Sequence, residues 1–299
     1  MIKDEIQIKK VPFGDLGAYL GESLRQSSVE SYLYDINKYK TSNKNVDKYD
    51  YQKVMQYIEI LRNQYSISNV KRVLASIKKY YDYLIEIGKR KDNPARAIRI
   101  RDGKANPIQL QDLFTDKELQ NLLVPRIERY PFLAKRNKII MSLLINQALR
   151  IGEIEHLKLT DIDLEKACLQ IKETGITNAR NLPLKAEQIL LLYEFIHHDR
   201  NQLKTWRNDN EFLLLGKLGT PVTKDDVDYL ISTYQKQATK KLNSTTIRQS
   251  VLANLLIKNN DLRIVQHFAG HKSPDTTEKY RQTGLDALKT AIDKLHPIQ

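Results

Sequence analysis

Two arginines interrupt apolar runs, Arg150 in NQALRIGEI and Arg248 in TTIRQSVLANLL. A histidine and a tyrosine, His271 and Tyr280, follow in GHKSPDTTEKY. A guanidinium fork offers paired, permanently charged donors that fit phosphate oxygens. A phenol, with a pKa of about 10 when free, can attack phosphorus where an electropositive pocket favours its anion. The four residue types together suit cleavage of a stable phosphodiester with no metal and no other cofactor. Each also has a plainer alternative. Arg150 could hold a domain together through Glu153 or Asp163, and Arg248 could be structural in the same way. His271 could cap a helix end, and Tyr280, one of 16 tyrosines, could be ordinary packing.

Helices must carry most of these residues. SSVESYLYDINKY (27–39), 51–62 and SISNVKRVLASIKKYYDYLIEIG (66–88) show apolar positions at helical spacing. In the last of these, Val70, Val73, Leu74, Ile77, Tyr80, Tyr81 and Leu84 form one stripe. Lys71, Arg72, Lys78 and Lys79 stand off it, on a solvated or a ligand-facing surface. Downstream, Thr115 and Glu118 make a capping box ahead of an apolar run. ACLQIKE and ARNLPLK predict two short strands joined by a turn at TGITN. Further helices follow, ending in an amphipathic one with Leu285, Leu288, Ile292 and Leu295 on one face. The expected fold is mainly α: a helical domain over 10–100, a basic linker over 101–112, and a helical domain with a small antiparallel hairpin over 113–299.

The chain of 299 residues carries a formal net charge of +13. Residues 1–110 hold 21 Lys/Arg and 13 Asp/Glu, a surplus of 8. The densest basic run, KRKDNPARAIRIRDGK (89–104), contributes Arg96, Arg99, Arg101 and Lys104. Such an excess calls for an acidic partner, nucleic acid or an anionic membrane. No apolar run approaches the length of a membrane-spanning helix, and the N-terminus lacks a signal peptide's apolar stretch. The single Cys168 cannot form an intramolecular disulfide, which fits a reducing cytoplasm; its alternating strand places it in the core.

These stretches, taken in order, resemble the tyrosine recombinase and phage-type integrase family, with a Xer-like two-domain layout. QALRIGEIEHLKLTDIDLE is similar to the family's first arginine box, and TTIRQSVLANLLIKNNDLRIVQHFAGHKSPDTTEKY to the second box running to the nucleophile. The resemblance spans about residues 13–295. It implies a core-binding domain followed by a catalytic domain, acting together on double-stranded DNA. Tyr280 would form a 3′-phosphotyrosyl link, with the bond energy conserved so that rejoining needs no ATP. Arg150 and Arg248 would grip the scissile phosphate, His271 would donate a hydrogen bond to it, and Glu153 would orient an arginine. Lys71, Arg72, Lys78, Lys79, Arg96, Arg99, Arg101, Lys104 and Arg180 would contact DNA. The family's habits imply a monomer in solution, a dimer on a core site and a tetramer in synapsis, the C-terminal helix packing in cis or on a neighbour. They also imply a cytoplasmic, nucleoid-associated protein of a prokaryote, phage or mobile element.

Two positions depart from the pattern. Thr245 stands where the second box usually has histidine; threonine can donate a hydrogen bond or cap a helix, but carries no charge. Counting back from Leu182-Pro183-Leu184, the family's hairpin lysine falls on Gly175. Lys172, three residues earlier, is the candidate general acid, against an alternative of a solvated lysine at a strand end. Losing a general acid costs roughly 10²–10⁴ in rate. The leading expectation is a site-specific DNA strand-transfer enzyme. The alternative is a catalytically impaired relative that binds DNA and regulates. A topoisomerase-like use of the chemistry comes third.

Overall fold

A computed structural model describes residues 16–101, 108–203 and 211–281. Lys104, residues 102–107 of the expected linker and the helix expected from Leu285 to Leu295 lie outside the described residues. The chain divides into two compact units, Met1–Ala105 and Asn106–Gln299.

The first unit is a bundle of α1 (Leu16–Ser23), α2 (Gln26–Ser42), α3 (Tyr51–Gln64) and α4 (Ile67–Glu86). Asp50 caps α3 by accepting the Lys53 N–H, and Ser66 caps α4 by accepting that of Asn69. The stripe of α4 turns inward: Val70, Leu74, Ile77, Tyr80, Tyr81 and Leu84 are buried. Tyr39 and Tyr81 keep their hydroxyls satisfied in this core through a 2.7 Å hydrogen bond to each other, and Tyr81 also donates to the Val46 carbonyl. The start of the basic run is part of this unit. Ala95 and Ile98 are buried, and Asn93 donates to the Lys78 carbonyl and to Asp82.

The second unit starts with α5 (Asp116–Asn121), opened by the expected Thr115–Glu118 capping box. In α6 (Ala134–Asn146) every residue from 139 to 145 is buried. Ala148 then turns the chain at φ 51°, a left-handed conformation that a residue with a Cβ adopts only under strain. It leads into the short α7 (Ile151–Glu155). An antiparallel sheet follows: β1 (Ile162–Asp163), β2 (Cys168–Ile171) and β3 (Arg180–Pro183), in that order. Ile171 pairs with Arg180 and Leu169 with Leu182, so these four share the buried face. Cys168 is half-buried on the other face, not in the core. The chain continues through α8 (Ala186–Glu194), α9 (Arg200–Leu203), α10 (Lys224–Thr233), α11 (Ser244–Ile257) and α12 (Leu262–Ala269). Residues 274–281 are again helical. The core of this unit runs from Phe114 to Ala269, and Tyr280 packs against it.

Candidate active site

Arg248 projects from the second turn of α11. Asn243 caps that helix by accepting the Thr246 N–H at 2.8 Å, so Thr245 is not the cap. Thr245 is exposed, one turn before Arg248. The Arg248 guanidinium is buried. Nη1 donates to the carbonyl of the strained Ala148, and Nη2 to that of Ala269 at the end of α12. Burial, and then the charge of Arg150, push its pKa down to about 10.

Arg150 immediately precedes α7. Its backbone N–H donates to Glu153 Oε2 at 2.9 Å. Its side-chain Nε is buried, and among the described residues it has no acceptor. The carboxylate that could have paired with the Arg150 guanidinium is taken by Arg180. The two side chains form a buried, bidentate pair, Nη1 to Oε1 at 2.9 Å and Nη2 to Oε2 at 2.8 Å. This corrects the placement of Arg180 among DNA contacts: its side chain is 0% exposed, and both Nη atoms serve Glu153. Glu153 does orient an arginine side chain, but that of Arg180, while fixing Arg150 only through its backbone.

The histidine arrives by a tight route. α12 ends at Gly270 with φ 66°, where a Cβ would lie 2.6 Å from Arg180 Nη1. The Gly270 carbonyl accepts the Asn178 N–H, and His271 forms a β-bridge with Thr177. The loop after β2 is thereby laid alongside the histidine. Nδ1 of His271 lies 2.9 Å from Thr277 Oγ1, and Nε2 lies 3.3 Å from Arg248 Nη2. A guanidinium can only donate, so Nε2 is the acceptor and the proton sits on Nδ1, donated to Thr277. Burial first, then the charges of Arg248, Arg150 and Arg180, push the His271 pKa down to about 4. In this state the ring is neutral, with Nδ1 toward Thr277 and Nε2 toward Arg248.

Tyr280 lies on the helix after this loop, its ring parallel to that of His271 with centroids 6.3 Å apart. Its pKa is raised, because burial outweighs the opposing charges of Arg248 and Arg150. The pocket without DNA therefore does not favour the phenolate by itself. The two arginines lower the pKa, but by less than burial raises it.

The expected hairpin donor is elsewhere. Lys172 follows Ile171, and alternation carries it to the face of β2 shared with Gln170, away from Arg180. Its Nζ pairs with Asp161 at 3.0 Å. Gly175 lies in the exposed bend of the loop. In the first unit, Lys71, Arg99 and Arg101 are exposed. Arg72 is tied to Asp35 and Ser31, Lys78 to the Ile98 carbonyl, Lys79 to Ser23 and Arg96 to Asp82. Sequence reasoning missed Thr277, Gly270 and the carbonyls of Ala148 and Ala269. No side-chain chemistry marks a backbone carbonyl, but a glycine directly before a histidine at a helix end was a usable signal for the left-handed turn.

Two arginines, a histidine and a tyrosine are thus gathered on a helical scaffold. The chain matches the Phage integrase family over residues 113–284, and the family's N-terminal SAM-like domain over 18–88. It belongs to the phage integrase family, the tyrosine recombinases. It is 27% identical over 247 residues to tyrosine recombinase XerC of Thermodesulfovibrio yellowstonii, covering 80% of this chain and 79% of that one. It is 25% identical over 283 residues to XerC of Lacticaseibacillus casei, covering 90% and 92%. Its fold is similar to that of the XerH recombinase bound to palindromic difH in a post-cleavage complex, with TM-score 0.69, 21% identity and coverage of 89% and 79%. It is likewise similar to a lambda integrase dimer on a COC′ core site, with TM-score 0.66, 14% identity and coverage of 89% and 92%.

Proposed function

We propose that this chain cuts and rejoins double-stranded DNA at specific sites through a covalent bond between phosphorus and Tyr280 Oη. The observation that carries this is the buried Nε of Arg150, which has no acceptor among the described residues although Arg248, His271 and Tyr280 lie around the same positive potential. A scissile phosphate would supply that acceptor. Arg150 and Arg248 would stabilise the charge on its non-bridging oxygens as it grows toward the transition state. The phosphate's own negative charge would offset the arginines. His271 would then regain basicity, and Nε2 could take and return protons at the phosphate. Attack by Oη conserves the phosphodiester energy in the protein–DNA link, so a free 5′ hydroxyl can reverse the step.

Thr245 and Gly175 do not remove these parts, and the intact cluster supports strand transfer over a role limited to binding. DNA is the partner, with a second copy of the chain on a core site, as the lambda integrase dimer is on COC′. The test is a nicked duplex that traps the covalent product. Target sequences come from a random pool, by capture on the wild-type protein. Tyr280→Phe is expected to bind the selected duplex and form no adduct. An adduct on the Phe variant would assign the nucleophile to another residue.

A further inference from the structure

The backbone of His271 is held from two sides. Its N–H donates to the Gln266 carbonyl at 3.1 Å, and its carbonyl accepts the Gln266 side-chain amide at 3.2 Å. The bridge to Thr177 adds a third restraint. These contacts fix where the ring begins but not how it is turned. The torsion that joins an imidazole to its Cβ is broad, and a half-turn about it puts carbons where the nitrogens were.

Thr277 settles that turn. Its Oγ1 lies 2.9 Å from Nδ1, and the residue is 0% exposed, whereas its neighbour Thr276 is only half-buried. Residues 274–281 are helical, so Thr277 and Tyr280, three apart, share a face. The turn of helix that presents the phenol therefore also carries the acceptor for the histidine, and the two rings lie parallel with centroids 6.3 Å apart. On the far side of the imidazole, Nε2 lies 3.3 Å from Arg248 Nη2. The type of acceptor matters as well. Glu153, a carboxylate whose charge bears on His271, is committed to Arg180 and to the Arg150 N–H. A carboxylate at Nδ1 would favour the imidazolium before any phosphate arrived; a hydroxyl accepts the proton without adding charge.

We propose that Thr277 is a positioning residue for strand transfer: its oxygen keeps one proton on His271 Nδ1, so that every proton exchanged with the scissile phosphate passes through Nε2. The inference rests on the strand-transfer reading above. No bond changes at Thr277. Its oxygen accepts the same N–H in the neutral ring and in the imidazolium, and the helix that bears it keeps imidazole and phenol in one relation. The hydrogen bond on one ring nitrogen thus decides what the other can do.

The test uses the full chain. Nitrogen NMR of histidine-labelled protein, with the signal assigned by its loss in His271→Gln, is expected to show the Nδ1-protonated tautomer at neutral pH. Thr277→Val removes the oxygen and keeps the shape. The ring is expected to leave that tautomer, and single-turnover cleavage of the selected nicked duplex at saturating DNA is expected to slow by roughly 10–10², as for a lost hydrogen bond to a charged group. Duplex affinity is expected to hold, since Thr277 is fully buried. Thr277→Ser keeps the oxygen and is expected to restore the tautomer and most of the rate. The inference is overturned if the wild-type ring carries its proton on Nε2, or if Thr277→Val cleaves at the wild-type rate. It is also overturned if the valine and serine variants slow alike, or if affinity falls as far as the rate. Where valine prevents folding, the wild-type tautomer and the rate of the serine variant decide the matter. A wild-type protein that shows the Nδ1 tautomer but forms no adduct removes the strand-transfer reading itself.

Discussion

Arg180 and Glu153 meet through two hydrogen bonds of 2.9 and 2.8 Å with both side chains withdrawn from solvent. This pair joins β3 to α7, and the Arg150 N–H shares its carboxylate. Removing one partner leaves a buried charge uncompensated, which costs about 3–5 kcal/mol. Arg180→Ala is therefore expected to destabilise the protein by that amount in urea unfolding. Arg180→Lys should recover little of the loss, because an ammonium cannot reproduce the two-point fork. A loss under about 1 kcal/mol for Arg180→Ala would mean that the pair is not a structural linchpin.

Gly270 supports the same pair from above. A methyl group there would have to adopt φ 66° and would meet Arg180 Nη1 at 2.6 Å. The left-handed backbone alone costs about 1–2 kcal/mol with a Cβ present. Gly270→Ala is expected to exceed that cost in the wild type and to approach it when Arg180 is already alanine. A double-mutant cycle reads the difference; strictly additive losses would show that Cβ and guanidinium do not collide.

Much of this arrangement was legible in the chain before any coordinates. The stripe of α4, the Thr115–Glu118 capping box and the pairing of ACLQI with RNLP follow from local periodicity, and they are where the pattern put them. Arg150 and Arg248 stand out because a charged group in an apolar run needs a reason, and His271 and Tyr280 through the loop GHKSPDTT that joins them. What sequence reasoning lost was the choice of partner. Glu153 has two arginines within reach, and only the strand register, which sets Arg180 opposite the buried Ile171, decides between them. The alternation of Arg180 with Leu182 carried that information, but a basic residue on a strand was assigned to the surface. The face of Lys172 depends likewise on the register, not on its distance along the chain from the turn.

His271 makes stability depend on pH. Its folded pKa of about 4 lies below the value of an exposed histidine, so the unfolded chain binds more protons between about pH 6.5 and 4. The histidine's contribution is fully present above that window and is lost as pH falls through it. The expected loss is on the order of 2–3 kcal/mol. Unfolding free energies of wild type and His271→Gln, measured from pH 7 to 4, should converge as pH falls, because only the wild type pays this protonation. Parallel curves would place the titration elsewhere.

The cations of the first unit fall into two groups that experiment can separate. Lys71, Arg99 and Arg101 are exposed, whereas Arg72 is paired with Asp35, a carboxylate only 2% exposed that, among the described residues, otherwise accepts the Ser76 hydroxyl at 3.0 Å. Removing Arg72 leaves that carboxylate under-satisfied, so Arg72→Ala is expected to cost about 1–3 kcal/mol of stability. The triple change of Lys71, Arg99 and Arg101 to alanine should leave stability within about 0.5 kcal/mol, since all three are exposed. DNA binding should respond in the opposite order. Each lost phosphate contact lowers the slope of log affinity against log salt by about 0.9, so the triple variant should flatten it by up to about 3 on any duplex sequence. Filter binding at several salt concentrations, alongside urea unfolding of the same samples, reads both effects. If the triple variant keeps the wild-type slope, these three cations do not face the phosphates, and the DNA-binding surface of the first unit lies on another side of the bundle.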